Sequence, residues 1–384
     1  MAKLKVGFLC IDAREAWKEY SRPEPYFGTA PAALLQGFSL IPDEVEVQVL
    51  CCIQQPMTAP EKLAANITYH SLLVPRLGWL RTGYYGCIRA VRRKLRELQP
   101  DVVHAQGTER DCALTGAFSG FPNVLTIHGN MRRIAAVNRA RPFSFNWLAA
   151  RLESFVLPRT DGVVCITSYT RELVARSVRR TWVVPNAVDT SFFDVEPVPA
   201  PERIILCVGT VCLHKNQNQL IRALDPLATQ HRFELVFLGG ADRASDYGRE
   251  FFHLLEQRPW CRYGGFADRA ALQTALGRAT LLVLPSLEDN CPMVVLEAGA
   301  AGVPVVAAKI GGVPDLIEEN VTGLFCDPHE PAGIRAGVAR LLEHPEDARR
   351  LAGTARERAR ERFHPAVIAR RHLEVYRDVL SSFS

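Results

Sequence analysis

Apolar segments of strand length alternate with amphipathic segments of helix length along most of the chain. Residues 5–11 form the first apolar run, and the Val-rich residues 44–53 alternate in the manner of a strand. The same alternation of strand-length and helix-length segments resumes after residues 194–202. This stretch is proline-rich and acidic, and its apolar residues show no regular spacing. Such a segment is typical of a linker between domains. The pattern therefore predicts an α/β protein with two doubly wound parallel sheets.

Three helical predictions follow from the spacing of apolar residues. Residues 77–98 mix aromatic side chains with Arg and Lys at helical spacing. One interpretation is an interfacial helix that meets anionic lipid or a lipid-linked acceptor, and the other is a surface helix with a solvated face. Residues 137–157 predict one long helix. Ser168 is placed to cap the helix that follows the next strand.

The most informative stretch of the chain is residues 285–306, a buried strand end, a short helix and a second buried strand. Asp289 lies just past the first strand, where open parallel sheets bind ligands. Glu297 follows about two helical turns later, and free N–H groups at the helix start suit a phosphate. The two acids could therefore bind the two ends of a phosphate-bridged ligand. Alternatively, Asp289 and Asn290 only cap the helix, and Glu297 is a solvated helix residue.

Two short strands each end in a histidine, His104 and His128. Histidines at the carboxyl ends of two parallel strands suggest one shared crevice, although a structural role is the commoner outcome for either histidine alone. Gly28 lies in the loop between the first strand and the first helix, where the backbone can approach a ligand closely. A plain turn is the alternative interpretation of Gly28.

Composition narrows the class of protein. The 384 residues exceed one typical core, and an apolar fraction of 48% with 23% charged residues is ordinary for a soluble enzyme. A net charge of +5 falls short of a nucleic-acid-binding signature. The 11 scattered cysteines show no metal-ligand spacing and predict buried, reduced thiols in a cytoplasmic protein. We expect neither a signal peptide nor a membrane span.

Several motifs in combination resemble a known family. They are TIHGN from Thr126, PNAVDTSFF from Pro185, HKNQNQLIRAL from His214, YGGFADRAALQTAL from Tyr263 and PSLEDNCPMVVLEAGAAGVPVV from Pro285. The chain resembles the retaining, nucleotide-sugar-dependent glycosyltransferases of family 4 (group 1 type), closely in its C-terminal half and loosely in its N-terminal third.

This resemblance implies the GT-B fold, in which two Rossmann-like domains face each other across a deep cleft. Residues 1–195 would form the acceptor-binding domain, and residues 196–364 would form the donor-binding domain. A last helix at about residues 365–384 would pack back on the first domain.

The resemblance also implies roles for matching side chains. Glu297 would hydrogen-bond the ribose of the donor, and Asp289 would contact the donor sugar at a position where the family has Glu. Glu288 stands beside Asp289 and could serve instead. Lys215 would neutralise the diphosphate, and Thr210 replaces an arginine that many members carry.

Backbone groups would complete the donor site. At the helix start they belong to Asn290, Cys291, Met293 and Val294. The remaining positions implied by the resemblance are Gly209 beside the phosphate site, Phe266 where the nucleobase is held, Gly28 near the diphosphate and acceptor, and His128 at the donor sugar. The catalytic set is thus His128, Asp289 and Glu297, as positioning groups without an obligatory protein nucleophile.

The implied function is transfer of a hexosyl residue from a nucleotide-diphosphate sugar to a saccharide or lipid-linked saccharide in cell-surface polysaccharide synthesis. Neither a metal nor a cofactor is expected, since Lys215 and the helix start can stabilise the leaving phosphate. Nucleic acid is not an expected partner, and peripheral contact with the inner membrane surface is left open. The alternative is a non-catalytic nucleotide-sugar-binding subunit of a glycan-assembly complex. A phosphorylase would need a pyridoxal-phosphate lysine motif, which we do not see.

Overall fold

The computed structural model describes residues 3–137, 139–198, 200 and 202–383. The chain divides into two compact units, residues 1–187 with 365–384 (unit 1) and residues 188–364 (unit 2). The sequence placed the boundary of the first domain after residue 195, and Pro199 and Pro201 of the proposed linker lie outside the described residues. Each unit is built on a sheet with parallel pairing between neighbouring strands, so the α/β prediction is confirmed.

Unit 1 contains an eight-stranded sheet in the order β3-β4-β2-β1-β5-β6-β7-β8. Its strands are β1 (Leu4–Leu9), β2 (Val45–Ile53), β3 (Lys62–Ala64), β4 (Ile67–Leu73), β5 (Val102–Gln106), β6 (Asn123–Ile127), β7 (Val163–Cys165) and β8 (Thr181–Val183). Only β3 pairs antiparallel, at the sheet edge. The inner strands β2, β5 and β6 are almost entirely buried, as expected for a parallel sheet that is covered on both faces.

Helices cover both faces of this sheet. They are α1 (Ala13–Trp17), α2 (Thr29–Ser39), α3 (Tyr85–Leu98), α4 (Cys112–Ala117), α5 (Met131–Val137), α6 (Phe145–Val156) and α7 (Ser168–Val174).

Unit 2 contains a six-stranded, parallel sheet in the order β11-β10-β9-β12-β13-β14. Its strands are β9 (Arg203–Val208), β10 (Phe233–Leu238), β11 (Cys261–Gly265), β12 (Leu281–Leu284), β13 (Val305–Ala308) and β14 (Leu324–Cys326). Its helices are α8 (Gln217–Ala228), α9 (Asp246–Glu256), α10 (Arg269–Arg278), α11 (Met293–Ala301), α12 (Pro331–Glu343) and α13 (Pro345–Phe363).

The last helix, α14 (Pro365–Leu380), returns the chain to unit 1 and packs against α2. The packing is close at Gly37, where a Cβ atom would lie 2.2 Å from the carbonyl oxygen of Pro365. Phe38 of α2 and Tyr376 of α14 lie fully inside the same core, with ring centroids 6.4 Å apart.

Three helical predictions need correction. The α-helix in residues 77–98 begins only at Tyr85, because Gly83 and Tyr84 adopt positive φ angles of 58° and 61°. Residues 137–157 do not form one helix: α5 ends at Val137 and α6 starts at Phe145, since Pro142 disfavours helix before it. The cap of α7 is Thr167 rather than Ser168.

No helix in the described ranges is both long enough and apolar enough to cross a membrane.

Candidate functional site

Lys215 and Asp289, which lie 74 positions apart in the sequence, meet in unit 2 beyond the carboxyl ends of β9 and β12. Lys215 ends a short 3₁₀ turn between β9 and α8, and Asp289 lies in the loop between β12 and α11. The Lys215 Nζ atom donates to Asp289 Oδ2 at 2.5 Å, and the Ser286 hydroxyl donates to the same oxygen at 3.2 Å. Both charged side chains are largely buried, with exposed fractions of 20% and 12%. Lys215, which was predicted to bind phosphate, therefore contacts Asp289, which was predicted to bind the donor sugar.

Backbone contacts hold the Asp289 loop in place. The Leu287 N–H donates to the His214 carbonyl at 2.7 Å, and the Gly312 N–H donates to the Asp289 carbonyl at 3.1 Å. Gly311 has a φ of 52°, and a Cβ atom there would lie 1.9 Å from the Asp289 carbonyl oxygen. Only glycine fits this close approach.

The residue that precedes α11 is not one of those predicted to cap it. Pro292 is the N-cap and makes no side-chain capping bond, so the interpretation of Asp289 and Asn290 as helix caps is wrong. Met293 and Val294 are the first helical residues, where backbone N–H groups have no acceptor within the helix. The preceding residues, Asn290 and Cys291, are half-buried. This arrangement leaves the helix start suited to an anionic group.

Glu297 is buried, with only 5% of its surface exposed, so the interpretation as a solvated helix residue is wrong. Burial raises the pKa of the Glu297 carboxyl to about 7, while Arg269 opposes this rise and Asp189 adds to it. Arg269 and Asp189 form an ion pair with each other. Glu297 is therefore poised to change charge near neutral pH.

Glycines end three neighbouring strands of the unit 2 sheet, and the tightest contact is at Gly239. A Cβ atom on Gly239 would lie 2.2 Å from the carbonyl oxygen of Gly209, and the Gly209 N–H donates to the Leu238 carbonyl at 2.8 Å. Phe266 follows the third glycine-ended strand, β11, and 76% of its surface is exposed. The predicted nucleobase position is thus an open surface beside tightly packed strand ends.

Of the residues near Lys215, Thr210 and His214 supply little positive charge. Thr210 is exposed and neutral. Burial and the neighbouring Lys215 lower the pKa of His214, whose Nδ1 atom lies 3.4 Å from the Cys212 sulfur. Lys215 is consequently the cation that the structure places beside Asp289.

The two strand-end histidines of unit 1 have different surroundings. His104 is fully buried and lies in the core, so the expectation that it shares a crevice with His128 is wrong. His128 is half-buried, and its Nε2 atom lies 2.8 Å from the Gln106 side-chain oxygen. Burial lowers the pKa of His128 to about 4, which keeps the imidazole neutral at pH 7.

Gly28 is the N-cap of α2, with an ordinary φ of −56°. A Cβ atom at this position would meet only the Pro31 side chain, at 3.7 Å. The backbone of unit 1 therefore does not itself require glycine here.

Two family models match the chain. The model described as Glycosyltransferase Family 4 matches residues 39–192, and the model described as Glycosyl transferases group 1 matches residues 188–358. Together they span both units, including Lys215, Asp289 and Glu297. The chain is a group 1 glycosyltransferase of family 4.

Curated relatives of this glycosyltransferase act on sugars according to their names. It is 28% identical to a glycogen synthase of Mycobacterium tuberculosis over 297 residues, which is 73% of this chain and 69% of that protein. It is 29% identical to the alpha-maltose-1-phosphate synthase of Mycolicibacterium smegmatis over 304 residues, 69% of this chain and 75% of that protein. These likenesses favour an enzyme over a non-catalytic subunit.

Solved structures of similar fold confirm the GT-B architecture of this glycosyltransferase. The sucrose-phosphate synthase of Thermosynechococcus elongatus aligns with a TM-score of 0.77 at 20% identity, covering 99% of this chain and 100% of that one. Anabaena HepE in complex with UDP-glucose aligns with a TM-score of 0.68 at 18% identity, with the same coverage. The protein is thus a glycosyltransferase with the GT-B fold.

A buried ion pair in unit 1 of the glycosyltransferase was missed by sequence reasoning. Arg14 is fully buried and pairs with Asp12 at 2.7 Å. Arg14 Nη1 also donates to the carbonyls of Arg22 and Thr58, and the Tyr69 hydroxyl donates to Asp12 at 2.9 Å. These contacts fix the loop between β1 and α2. Asp12 and Arg14 lie in a polar stretch of the sequence, and the pattern of that stretch did not indicate that either residue is buried.

A second cluster of buried side chains in unit 1 was also not predicted from the sequence. The ligand atoms of Cys52, Cys87 and Asp111 all lie within 4.8 Å of one another in the unit 1 core. Their spacing along the chain matches no metal-binding motif. All three side chains are buried, and Cys52 and Cys87 are free cysteines.

The basic helix α3 of the glycosyltransferase presents one charged face. Its exposed arginines recur at helical spacing as Arg89, Arg92, Arg93 and Arg96, whereas Cys87, Val91 and Leu95 face the core. In the part of the chain that the structure describes, these four arginines form no ion pair with a carboxylate. A groove of about 730 Å³ lies between them and an apolar wall that includes Leu73 and Leu77.

Proposed function

We propose that this glycosyltransferase transfers a hexosyl residue, with retention of anomeric configuration, from a nucleotide-diphosphate sugar to a saccharide or lipid-linked saccharide. The observation that supports it is the Lys215–Asp289 ion pair in unit 2, because Asp289 lies in the connection that leads into the start of α11. Glu297, buried in α11, is proposed to accept hydrogen bonds from the ribose hydroxyls. Cell-surface polysaccharide synthesis is the proposed setting.

The chemistry explains why these groups are needed. Cleavage of the bond between sugar and diphosphate develops positive charge on the anomeric carbon and negative charge on the leaving phosphate. Lys215 and the N–H groups of Met293 and Val294 stabilise that phosphate charge. The leaving phosphate then accepts the proton of the attacking hydroxyl on the same face, so no protein nucleophile is required. Because Lys215 supplies the positive charge, we propose that transfer is metal-independent.

Asp289 is proposed to have two partners. Its carboxylate orients Lys215 through the 2.5 Å contact, and a sugar hydroxyl can donate to its other oxygen. Its side chain is shorter than the family's glutamate, and the pairing with Lys215 gives that shorter side chain a defined position. His128 is proposed to contact the donor sugar, Phe266 the nucleobase, and Gly28 the region near the diphosphate.

The test is a panel of nucleotide sugars incubated with the protein and a glycan or lipid-linked acceptor fraction, in the presence of EDTA. We expect release of nucleoside diphosphate with one donor, and a product whose anomeric proton has the configuration of the donor by NMR. A product of inverted configuration would contradict retention, and activity lost with EDTA would contradict metal independence. A folded protein that turns over no donor would contradict catalysis.

Donor affinity is expected to depend on pH through Glu297. The raised pKa of about 7 means that Glu297 ionises between about pH 6 and 8, and the carboxylate accepts ribose hydroxyl bonds better than the acid does. We expect the Kd for UDP-glucose to fall by about tenfold across this range. In Glu297→Gln the dependence should vanish, with a Kd near the acid-side value. Calorimetry with UDP-glucose measures this directly.

Two controls separate this effect from misfolding. A carboxyl whose pKa is raised by folding costs stability as pH rises through that pKa, so Glu297→Gln should unfold at the same or a higher temperature than wild type at pH 8. Glu256→Gln, an exposed residue at the end of α9, should leave both affinity and its pH dependence unchanged. An equally steep pH dependence in Glu297→Gln would assign the titration to another group.

The proposed acceptor includes a lipid anchor because of the basic face of α3. Four exposed arginines beside an apolar groove suit a surface of phosphate head groups above acyl chains. Each basic side chain near an anionic bilayer contributes about 1 kcal/mol. Contact with the inner membrane surface would keep the enzyme beside a lipid-linked acceptor.

Vesicle flotation tests this contact. Wild type is expected to float with vesicles that contain phosphatidylglycerol but not with pure phosphatidylcholine, and less so at high salt. Arg92→Glu with Arg93→Glu should weaken binding by more than tenfold. The charge-matched control, Arg349→Glu with Arg358→Glu on α13, should float like wild type. Equal flotation of both double variants would remove α3 from the proposal without affecting donor transfer.

A further inference from the structure

Three buried side chains of unit 1 converge although they come from three separate elements. Cys52 lies on β2, Cys87 lies in the first turn of α3, and Asp111 immediately precedes α4. The exposed fractions are 8% for Cys52, 0% for Cys87 and 6% for Asp111. Their ligand atoms, two sulfurs and a carboxylate oxygen, all lie within 4.8 Å of one another. A strand and the starts of two helices therefore meet at one point in the core.

The Asp111 side chain does not make the contact that its position favours. Asp111 is the N-cap of α4, where an aspartate usually accepts a hydrogen bond from a backbone N–H of the helix. Among the residues that the structure describes, its side chain makes neither such a capping bond nor an ion pair. A buried carboxylate is costly unless it is paired or coordinates a metal. The two thiols beside Asp111 supply further metal ligands.

This set of ligands suits a zinc ion. Zn²⁺ binds thiolate sulfur at about 2.3 Å and carboxylate oxygen at about 2.0–2.2 Å in a tetrahedron, which places neighbouring ligand atoms about 3.6–3.8 Å apart. Ligand atoms that already lie within 4.8 Å need to move closer by only about 1 Å. Ca²⁺ and Mg²⁺ prefer oxygen ligands and do not suit two sulfurs. The fourth position can be taken by a water or by the Gly78 carbonyl, which lies 3.8 Å from the Cys87 sulfur.

We propose that Cys52, Cys87 and Asp111 bind one structural Zn²⁺ ion in the core of unit 1. The two thiol protons leave to solvent as the ion binds. The ion joins the start of α3, the helix with the basic face, to β2 and to α4. It takes no part in sugar transfer, so the site can exist whether or not the enzyme acts as proposed above. Stabilisation of the leaving phosphate by Lys215 in unit 2 is a separate matter.

Metal binding is tested on the full chain, reduced and freed of metal, with Co²⁺ as the spectroscopic probe and Zn²⁺ as the competitor. We expect one equivalent of Co²⁺ to give a thiolate-to-cobalt charge-transfer band together with the intense visible bands of tetrahedral cobalt. One equivalent of Zn²⁺ should abolish both. The absence of a charge-transfer band, or the weak spectrum of octahedral cobalt, would overturn the proposal.

Single substitutions assign the ligands. Cys52→Ser, Cys87→Ser and Asp111→Asn should each weaken Zn²⁺ binding by more than about 100-fold, beyond the 10- to 100-fold loss typical of changes outside the ligand shell. The matched control is Cys51→Ser, which should bind like wild type. Cys51 is also a buried thiol of β2, 3.7 Å from the Cys10 sulfur, but among the described residues this pair belongs to no group of metal ligands. Wild-type affinity in Asp111→Asn, or an equal loss in Cys51→Ser, would overturn the site.

A measurement on the wild type covers the case in which a variant fails to fold. Zn²⁺ should raise the Tm by a few degrees, because it binds the folded chain in preference to the unfolded one. It should also slow amide hydrogen exchange in the first turn of α3. Zn²⁺ that binds without slowing exchange there would be bound elsewhere, which would overturn the proposal. A disulfide between Cys52 and Cys87, found by mass spectrometry of protein purified without reductant, would overturn it as well.

Discussion

Replacement of Lys215 by alanine is expected to lower the rate of sugar transfer by about 100- to 1,000-fold, because the leaving diphosphate loses its preorganised cation. The fall should appear mainly in kcat, since negative charge on the phosphate grows in the transition state. The substitution also leaves Asp289 without the partner that lies 2.5 Å away. Steady-state kinetics with saturating acceptor measure the effect.

Three further variants show whether the loss of activity in Lys215→Ala comes from the loss of its positive charge. Lys215→Arg keeps the charge and should retain part of the activity. Asp289→Asn keeps the cation but loses its orienting carboxylate, so a smaller loss is expected than for Lys215→Ala. Arg349→Ala, an exposed cation on α13, should have wild-type kinetics. A Lys215→Ala enzyme with kcat within about threefold of wild type would assign phosphate stabilisation to another group.

Replacement of Arg14 by methionine is expected to lower the free energy of unfolding of unit 1 by about 3–5 kcal/mol. The reason is that Asp12, which is fully buried, would lose its paired charge. The carbonyls of Arg22 and Thr58 would lose their donor as well. Urea unfolding followed by fluorescence gives the change.

A double variant separates charge from packing. In Asp12→Asn with Arg14→Met the unpaired charge is gone, so part of the lost stability should return. The control is Arg22→Met, whose exposed ion pair with Glu19 should contribute less than about 1 kcal/mol. If Arg14→Met and Arg22→Met unfold at the same urea concentration, the buried pair does not stabilise the loop.

Much of the architecture followed from the sequence because parallel strands buried on both faces are continuously apolar. The run Leu281–Leu284 is one example, and the run Val305–Ala308 is another. Helix boundaries were predicted less well. Pro142 was visible in the sequence, yet the apolar spacing on both sides of it suggested one helix where the structure has two.

The candidate site was also predicted only in part. The position of Asp289 after a strand and of Glu297 within a helix could be read from local pattern. Their charge environments could not, because they depend on residues distant in the sequence. Asp289 meets Lys215 only when β9 and β12 pair side by side, and the pKa of Glu297 depends on burial together with Arg269 and Asp189. Tertiary packing, rather than local spacing, decides these properties.

The return of α14 to unit 1 has a consequence for synthesis on the ribosome. The apolar face of α2, including Phe38, packs against a helix at the far end of the chain. That face therefore stays uncovered until residues 365–384 have emerged, whereas unit 2 is continuous and can close its core earlier. This reverses the usual order, in which the N-terminal domain folds first. The nascent N-terminal half is consequently the part of this enzyme with the longest exposure to chaperones and to aggregation.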